Sequence, residues 1–234
     1  MASFSNHDLL DACKEPGCPI CRLGAQTVRR YMRSLFYENV NDLKTRDTIA
    51  KSLGFCGEHS RLLLSARIAD GLGNAIIYEH PVKVVLRELP KNASAGKPAE
   101  LAKRLRKFIS GNDSVGQCPV CARRDEFVES NVIQVSRSLD NETLRLALEA
   151  SDGFCFLHLA QIFERTSKPA DVDFLLTITR QKLEARQGEM AEVIRKNDHR
   201  NTTEVISDQE ALAWKKALSM LSGISITQTG ERFD

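Results

Sequence analysis

The chain has 234 residues, 42% of them hydrophobic and 27% charged, with a net charge of +2, which is enough for one large domain or two small ones with a real core. The near-neutral balance gives no strong global field toward nucleic acid or an acidic membrane, and 6% aromatics disfavour a single-strand stacking platform. The opening stretch "MASFSNHDLLDACKEPG" lacks a basic region followed by an apolar one, and no run approaches a membrane span. The expected setting is therefore a reducing cytoplasm without a membrane partner, where cysteines bind metal or react more often than they pair; an odd total of seven fits a closed disulfide framework poorly.

The first chemical element is "GCPIC", with Cys18 and Cys21 three apart. Pro19 suits the first position of a helix, which makes Cys18 its N-cap. The helical stretch 22–40 then carries Val28, Met32, Leu35 and Phe36 on one face. In "ENVND", Glu38 to Asp42, the helix ends and Asp42 caps a shorter second helix. Gly54 closes that helix as a residue that tolerates a left-handed backbone, and "GFCGEH" supplies Cys56 and His59 at the start of a third, with Leu62, Leu63 and Ala66 apolar. His80-Pro81 is expected to break the next helix or to start a new one, and "DGLGNA" at 70–75 reads as a helix break without the strand that would precede a phosphate loop. Residues 90–100, "PKNASAGKPAE", read as a linker. Lys97, Lys103, Arg104, Arg106 and Lys107 form a basic helical run within the segment 96–111.

The pattern then repeats. "QCPVC" supplies Cys118 and Cys121, with Pro119 as the first helical residue. Val128, Val132, Val135 and Leu139 share a face, Asn141 is the next N-cap and Gly153 the next helix stop. "GFCFLH" supplies Cys155 and His158, followed by Leu159, Ile162 and Phe163. Thirty-four residues separate Cys21 from Cys56, and 33 separate Cys121 from Cys155. Six of the seven cysteines and two of the five histidines fall in this double pattern, so the chain reads as an internal duplication of 1–95 and 112–200. A long amphipathic helix is expected over 171–197. In the C-terminal part, 201–234, Ser207-Asp-Gln-Glu210 is a capping box whose helix carries Ala211, Trp214, Leu218 and Leu221 on a stripe expected to be core. With few alternating β-branched runs, the fold class is all-α, in two related multi-helix halves.

Zinc takes four soft or borderline donors in a tetrahedron, often as two close pairs. Cys18 and Cys21 with Cys56 and His59 would make one such site, and Cys118 and Cys121 with Cys155 and His158 a second, giving two Zn2+ per chain. The gap between pairs exceeds the ~12–20 residues of a small finger, so a helical hairpin must fold back within each copy. Exchange of pairs between copies stays open. Phe55 and Phe154 would anchor the sites from below. A thioredoxin-like redox pair is disfavoured by the lack of strands, and the ligand order is reversed from that of a zinc deaminase. An iron–sulfur cluster, or thiol-based redox chemistry, is the main alternative. Cys13, His7, His80 and His199 read as structural or surface residues.

The runs "GCPICRLGAQTVRRYMRSLFYENVND" and "GFCGEH", the second copy, and "ALAWKKALSMLSGI" at 211–224 resemble a bacterial family known only as a domain of unknown function. The resemblance covers nearly the whole chain, implies a bacterial, cytosolic protein with metal sites, and brings no activity with it. The function expected is that of a binding or adaptor protein with a protein partner and no catalytic residues. Nucleic-acid binding through the basic run, without a helix-turn-helix or RNA-binding signature, is a further alternative.

Overall fold

The structure, a computed structural model, describes residues 6–66, 71–89, 97–109, 117–199 and 203–225. Eleven helices and no strands are present among them. The chain divides into two compact units, one combining residues 1–26 with 126–231 and the other holding 27–125. The division falls inside two helices, α2 (Pro19–Glu38) and α7 (Pro119–Arg137), so the units cut across the two copies of the motif.

The unit built on 27–125 contains α3 (Leu43–Lys51), α4 (Gly57–Ala66), α5 (Gly71–Glu88) and α6 (Pro98–Ile109), with α3 packed on α5. Its core takes Val28, Met32, Leu35 and Phe36 from α2, joined by Ile49, Phe55, Leu63 and Ile77. Phe55 meets Phe36 and Tyr78 edge to face, at centroid distances of 6.3 and 6.1 Å, an arrangement that suits the aromatic quadrupole. Asp42 caps α3, its carboxylate accepting from the Thr45 N–H at 2.8 Å.

Three expectations are corrected in this unit. The helix does not break at Pro81: α5 runs through it, with Pro81 and Ile77 both buried. Burial of this face offsets the hydrogen bond that proline cannot donate. Gly71 to Ala75 belong to the first turns of the same helix, while Asp70 lies outside the described residues. The expected linker is helical from Pro98, with 90–96 outside the described residues. The basic run lies on the exposed side of α6, whose Leu101, Leu105 and Phe108 line a small cavity with Val85 of α5 and with Leu89 just beyond its end.

The unit that joins the N-terminal segment to the second half holds α1 (Asn6–Cys13), α8 (Glu142–Ala150), α9 (Phe156–Phe163), α10 (Pro169–Lys196) and α11 (Asp208–Ser222). Helix α1 packs on α8, and α11 on both α9 and α10. Val132, Val135, Leu139, Leu148, Phe154, Ile162 and Leu175 form its core together with Leu9 and Cys13 of α1. Asn141 caps α8 and Ser207 opens α11 with a complete capping box. The stripe expected to be core on α11 is exposed instead: Trp214 is 55% exposed and Leu221 65%, while Ala213 is fully buried. The buried face of α11 is formed instead by Ala213, Ser219 and Met220, a stripe offset from the expected one.

Candidate metal centres

Each CPxC pair sits on the first turn of a long helix. Cys18 and Cys118 are the N-caps, their carbonyls accepting from the Arg22 and Ala122 N–H groups at 3.1 and 2.9 Å. Cys56 and Cys155 stand in the same way before α4 and α9, with Ser60 and Leu159 N–H groups donating to their carbonyls at 2.8 Å. Four helix N-termini thus present sulfur, where the helix dipole favours a thiolate. Gly54 at φ +99° and Gly153 at φ +83° make the turns that aim Cys56 and Cys155, a backbone region that side chains disfavour.

The donors gather into two clusters, and within each all four ligand atoms lie within 4.8 Å of one another. The pairing is not the one expected within each copy. Cys18 and Cys21 meet Cys155 and His158, while Cys56 and His59 meet Cys118 and Cys121. The outer two pairs of the sequence make one centre and the inner two the other. The hairpin expected to fold back cannot return to its start, because α2 and α7 have 20 and 19 residues whereas α3 and α8, which follow them, have nine each, about half the length at equal rise per residue. Each long helix carries its Cys pair at one end and runs away from it, and the complementary pair is supplied by the other copy.

In the outer centre, His158 Nδ1 lies 3.4 Å from the sulfurs of Cys18 and Cys21 and 3.2 Å from that of Cys155. Cys21 and Cys155 Sγ are 3.6 Å apart. In the inner centre, His59 Nδ1 lies 3.2, 3.4 and 3.7 Å from the sulfurs of Cys56, Cys121 and Cys118, and Cys56 and Cys121 Sγ are 3.6 Å apart. A tetrahedral ion with metal–sulfur bonds of about 2.3 Å sets its donors roughly 3.8 Å apart. Both clusters have the size and donor chemistry to hold one metal ion, through Nδ1 of the histidine.

Packing three thiols together splits their acidities. Burial pushes Cys18 up to about 12, and hydrogen bonds to Cys155 and Cys18 also raise Cys21. Cys155 goes the other way, stabilised as the thiolate by Cys18 and Cys21, with burial opposing. In the inner centre burial pushes Cys121 up to about 12. Burial also acts to raise Cys56, but the N–H groups of His59 and Glu58 and the neighbouring thiols outweigh it and lower Cys56 overall. Burial lowers His59, so the ring stays neutral and able to ligate; Glu58 partly opposes this. Without a cation, each cluster favours one thiolate and resists the others; a dication removes that conflict.

The two centres differ in cover. All four residues of the outer one are buried, whereas Cys56 and Cys121 of the inner one are partly exposed. The outer centre is closed by the end of α11, where the Gly223 carbonyl accepts from Cys21 Sγ at 3.1 Å. Asp152, buried beside it, accepts from the Gly17 N–H at 2.8 Å and pairs with Arg186 at 2.8 Å and Lys216 at 3.0 Å. Sequence reasoning passed over Asp152; the signal was the contrast between "SDGFC" and "SLGFC" in the two copies. Arg124, one turn beyond Cys121, pairs with Glu58 at 3.4 Å and Asp125 at 2.9 Å along the rim of the inner centre.

The remaining histidines and Cys13 belong to neither cluster. His7, His80 and His199 pair with Asp11, Asp47 and Asp198. Cys13 is core, and burial pushes its thiol up to about 11, with Lys182 opposing.

Together, fold and sites define an all-helical protein with two Cys3His clusters able to hold metal. The chain belongs to a family of unknown function, DUF6062, which it matches over residues 7–227. It is similar to an uncharacterized 23.9 kDa protein in the xynA 3' region of Caldicellulosiruptor sp. (strain Rt8B.4), 27% identical over 216 residues that cover 92% of this chain and 99% of the relative. No solved structure matches. Among the described residues no helix is long and apolar enough to cross a membrane.

Proposed function

We propose that the protein is a zinc-binding helical protein whose two sites are structural. Cys18, Cys21, Cys155 and His158 would hold one Zn2+, and Cys56, His59, Cys118 and Cys121 the other. Residues 1–95 and 112–200 are taken as copies of one duplicated unit, and the protein acts as a cytoplasmic binding or adaptor protein for a protein partner, without catalysis of its own. The observation that carries this reading is the convergence of four protein donors at each centre. Four protein ligands fill a tetrahedron, as in structural zinc sites, whereas catalytic ones keep a position for water or substrate. Donors this close together suit a single ion. A cluster of several irons distributes its protein ligands over more than one metal, which weighs against the iron–sulfur alternative.

Elemental analysis and an absorption spectrum, on protein purified without oxygen or added metal, test the reading. Two zincs per chain without colour are expected. Iron with sulfide and brown absorption would replace it with electron transfer, and protein without metal would return the cysteines to thiol chemistry.

A further inference from the structure

The two centres have the same donors but unequal protection. Cys18 is 1% exposed and Cys155 fully buried, and α11 covers their site. Cys56 and Cys121 are partly exposed, and their sulfurs are 3.6 Å apart. The residue after the helix-capping cysteine also differs between them. It is Phe156 in the outer centre and Gly57 in the inner one, and a Cβ added at Gly57 would meet nothing within 4 Å. Open space therefore adjoins Gly57, next in the chain to Cys56, and the partial exposure of Cys56 and Cys121 lets a small neutral oxidant approach them without unfolding of the unit. Thiolates are the nucleophilic form, and reactivity follows access.

We propose that Cys56 and Cys121 form a peroxide-oxidisable dithiol, so that the inner centre releases its metal under oxidation while the outer centre keeps its own; this rests on the zinc reading above. One of the two thiolates attacks a peroxide oxygen. The O–O bond breaks, hydroxide leaves and a sulfenic acid forms. The other thiolate attacks that sulfur, the S–O bond breaks, a second hydroxide leaves and the S–S bond forms. The sulfur pair loses two electrons, hydrogen peroxide gains them, and two protons from solvent convert the hydroxides to water. With two of four donors tied in a disulfide, the metal is left with Cys118 and His59 and dissociates. A thiol reductant reverses the step and restores the site.

The test uses the full chain, with metal content measured first. Zinc-loaded protein is treated with hydrogen peroxide while a chromophoric indicator reads released zinc and peptide mapping locates disulfides. The expected result is release of one zinc of two, a Cys56–Cys121 disulfide, and zinc rebinding after reduction. The variant Gly57→Phe, at an exposed position where an added Cβ meets nothing within 4 Å, should keep both zincs and slow the release several-fold. Release of both zincs at equal rates, a disulfide involving Cys18, Cys21 or Cys155, or an unchanged rate in Gly57→Phe would overturn the proposal. If the first measurement finds no zinc, the structural-zinc reading fails by itself. The dithiol is then judged on the mapping alone, where a peroxide-induced Cys56–Cys121 bond supports it and its absence overturns it.

Discussion

At the scale of single residues, the thiols determine how metal binding responds to pH. Cys18 and Cys121 are pushed up to about 12 in the metal-free fold, so both are protonated at neutral pH, and an incoming cation must displace those protons. Affinity should rise with pH, by about tenfold per unit for each proton displaced; titration calorimetry in buffers of different ionisation enthalpy will count them. For the metal-free fold itself the same shifts act in the opposite sense. A folded value above the ordinary 9.0 adds stability below pH 9, and that contribution is lost as pH climbs toward about 12. His59, lowered by burial from 6.5, disfavours the fold as pH falls through that value, because the unfolded chain then binds the proton more readily. The turn glycines are a second residue-scale matter. Alanine at Gly54 or Gly153 is strained by about 1–2 kcal/mol in its left-handed backbone. Gly54→Ala should cost more in thermal melts, because its Cβ would sit 3.0 Å from the Tyr78 ring, whereas at Gly153 the neighbour is the flexible Lys182 side chain.

At the scale of elements, α11 has two unequal faces. Ala213 and Met220 are buried against the unit, and Trp214, Leu218 and Leu221 look outward. Trp214→Ser is therefore expected to cost about 1–2 kcal/mol, for the part of this large side chain that the fold covers at roughly 25 cal/mol per Å², with denaturant unfolding as the measurement. A shift several times larger would mean that this face is covered in solution. The helices themselves were legible in the sequence where local rules decide them. Asp42, Asn141 and Ser207 cap where their side chains predict, and the apolar faces of α2 and α7 are the buried ones. The errors fall where packing overrides local preference. Pro81 is retained inside α5 because burial of that face outweighs one hydrogen bond, and α11 turns Ala213, Ser219 and Met220 inward because of what lies against it. Periodicity marks a stripe but not which neighbour will meet it.

At the scale of the whole molecule, the eight residues that gather into the two clusters stand at a spacing the sequence displays, but their partition was not readable there. Every Cys pair and every Cys-His pair is chemically compatible with either partner, so the partition is decided by tertiary structure, where the long α2 and α7 are followed by helices of about half their length. Two double variants separate the possibilities. Cys18→Ser with Cys155→Ser should remove one metal and leave one, whereas Cys18→Ser with Cys56→Ser should remove both; pairing within copies would give the reverse, and metal counting reads the difference. The partition also has a consequence in time. The inner clasp joins Cys56 to Cys121 across 65 positions and the outer joins Cys21 to Cys155 across 134. Loop closure costs about 0.6 kcal/mol more for each doubling of length, so the inner ring is the cheaper to form and shortens the outer when it does. On a ribosome adding about 5–20 residues per second, the inner ligands are all synthesised a few seconds before His158. The chain is built so that the clasp most open to solvent is the first that can close, and the buried one, joining the earliest ligands to the latest, is the last.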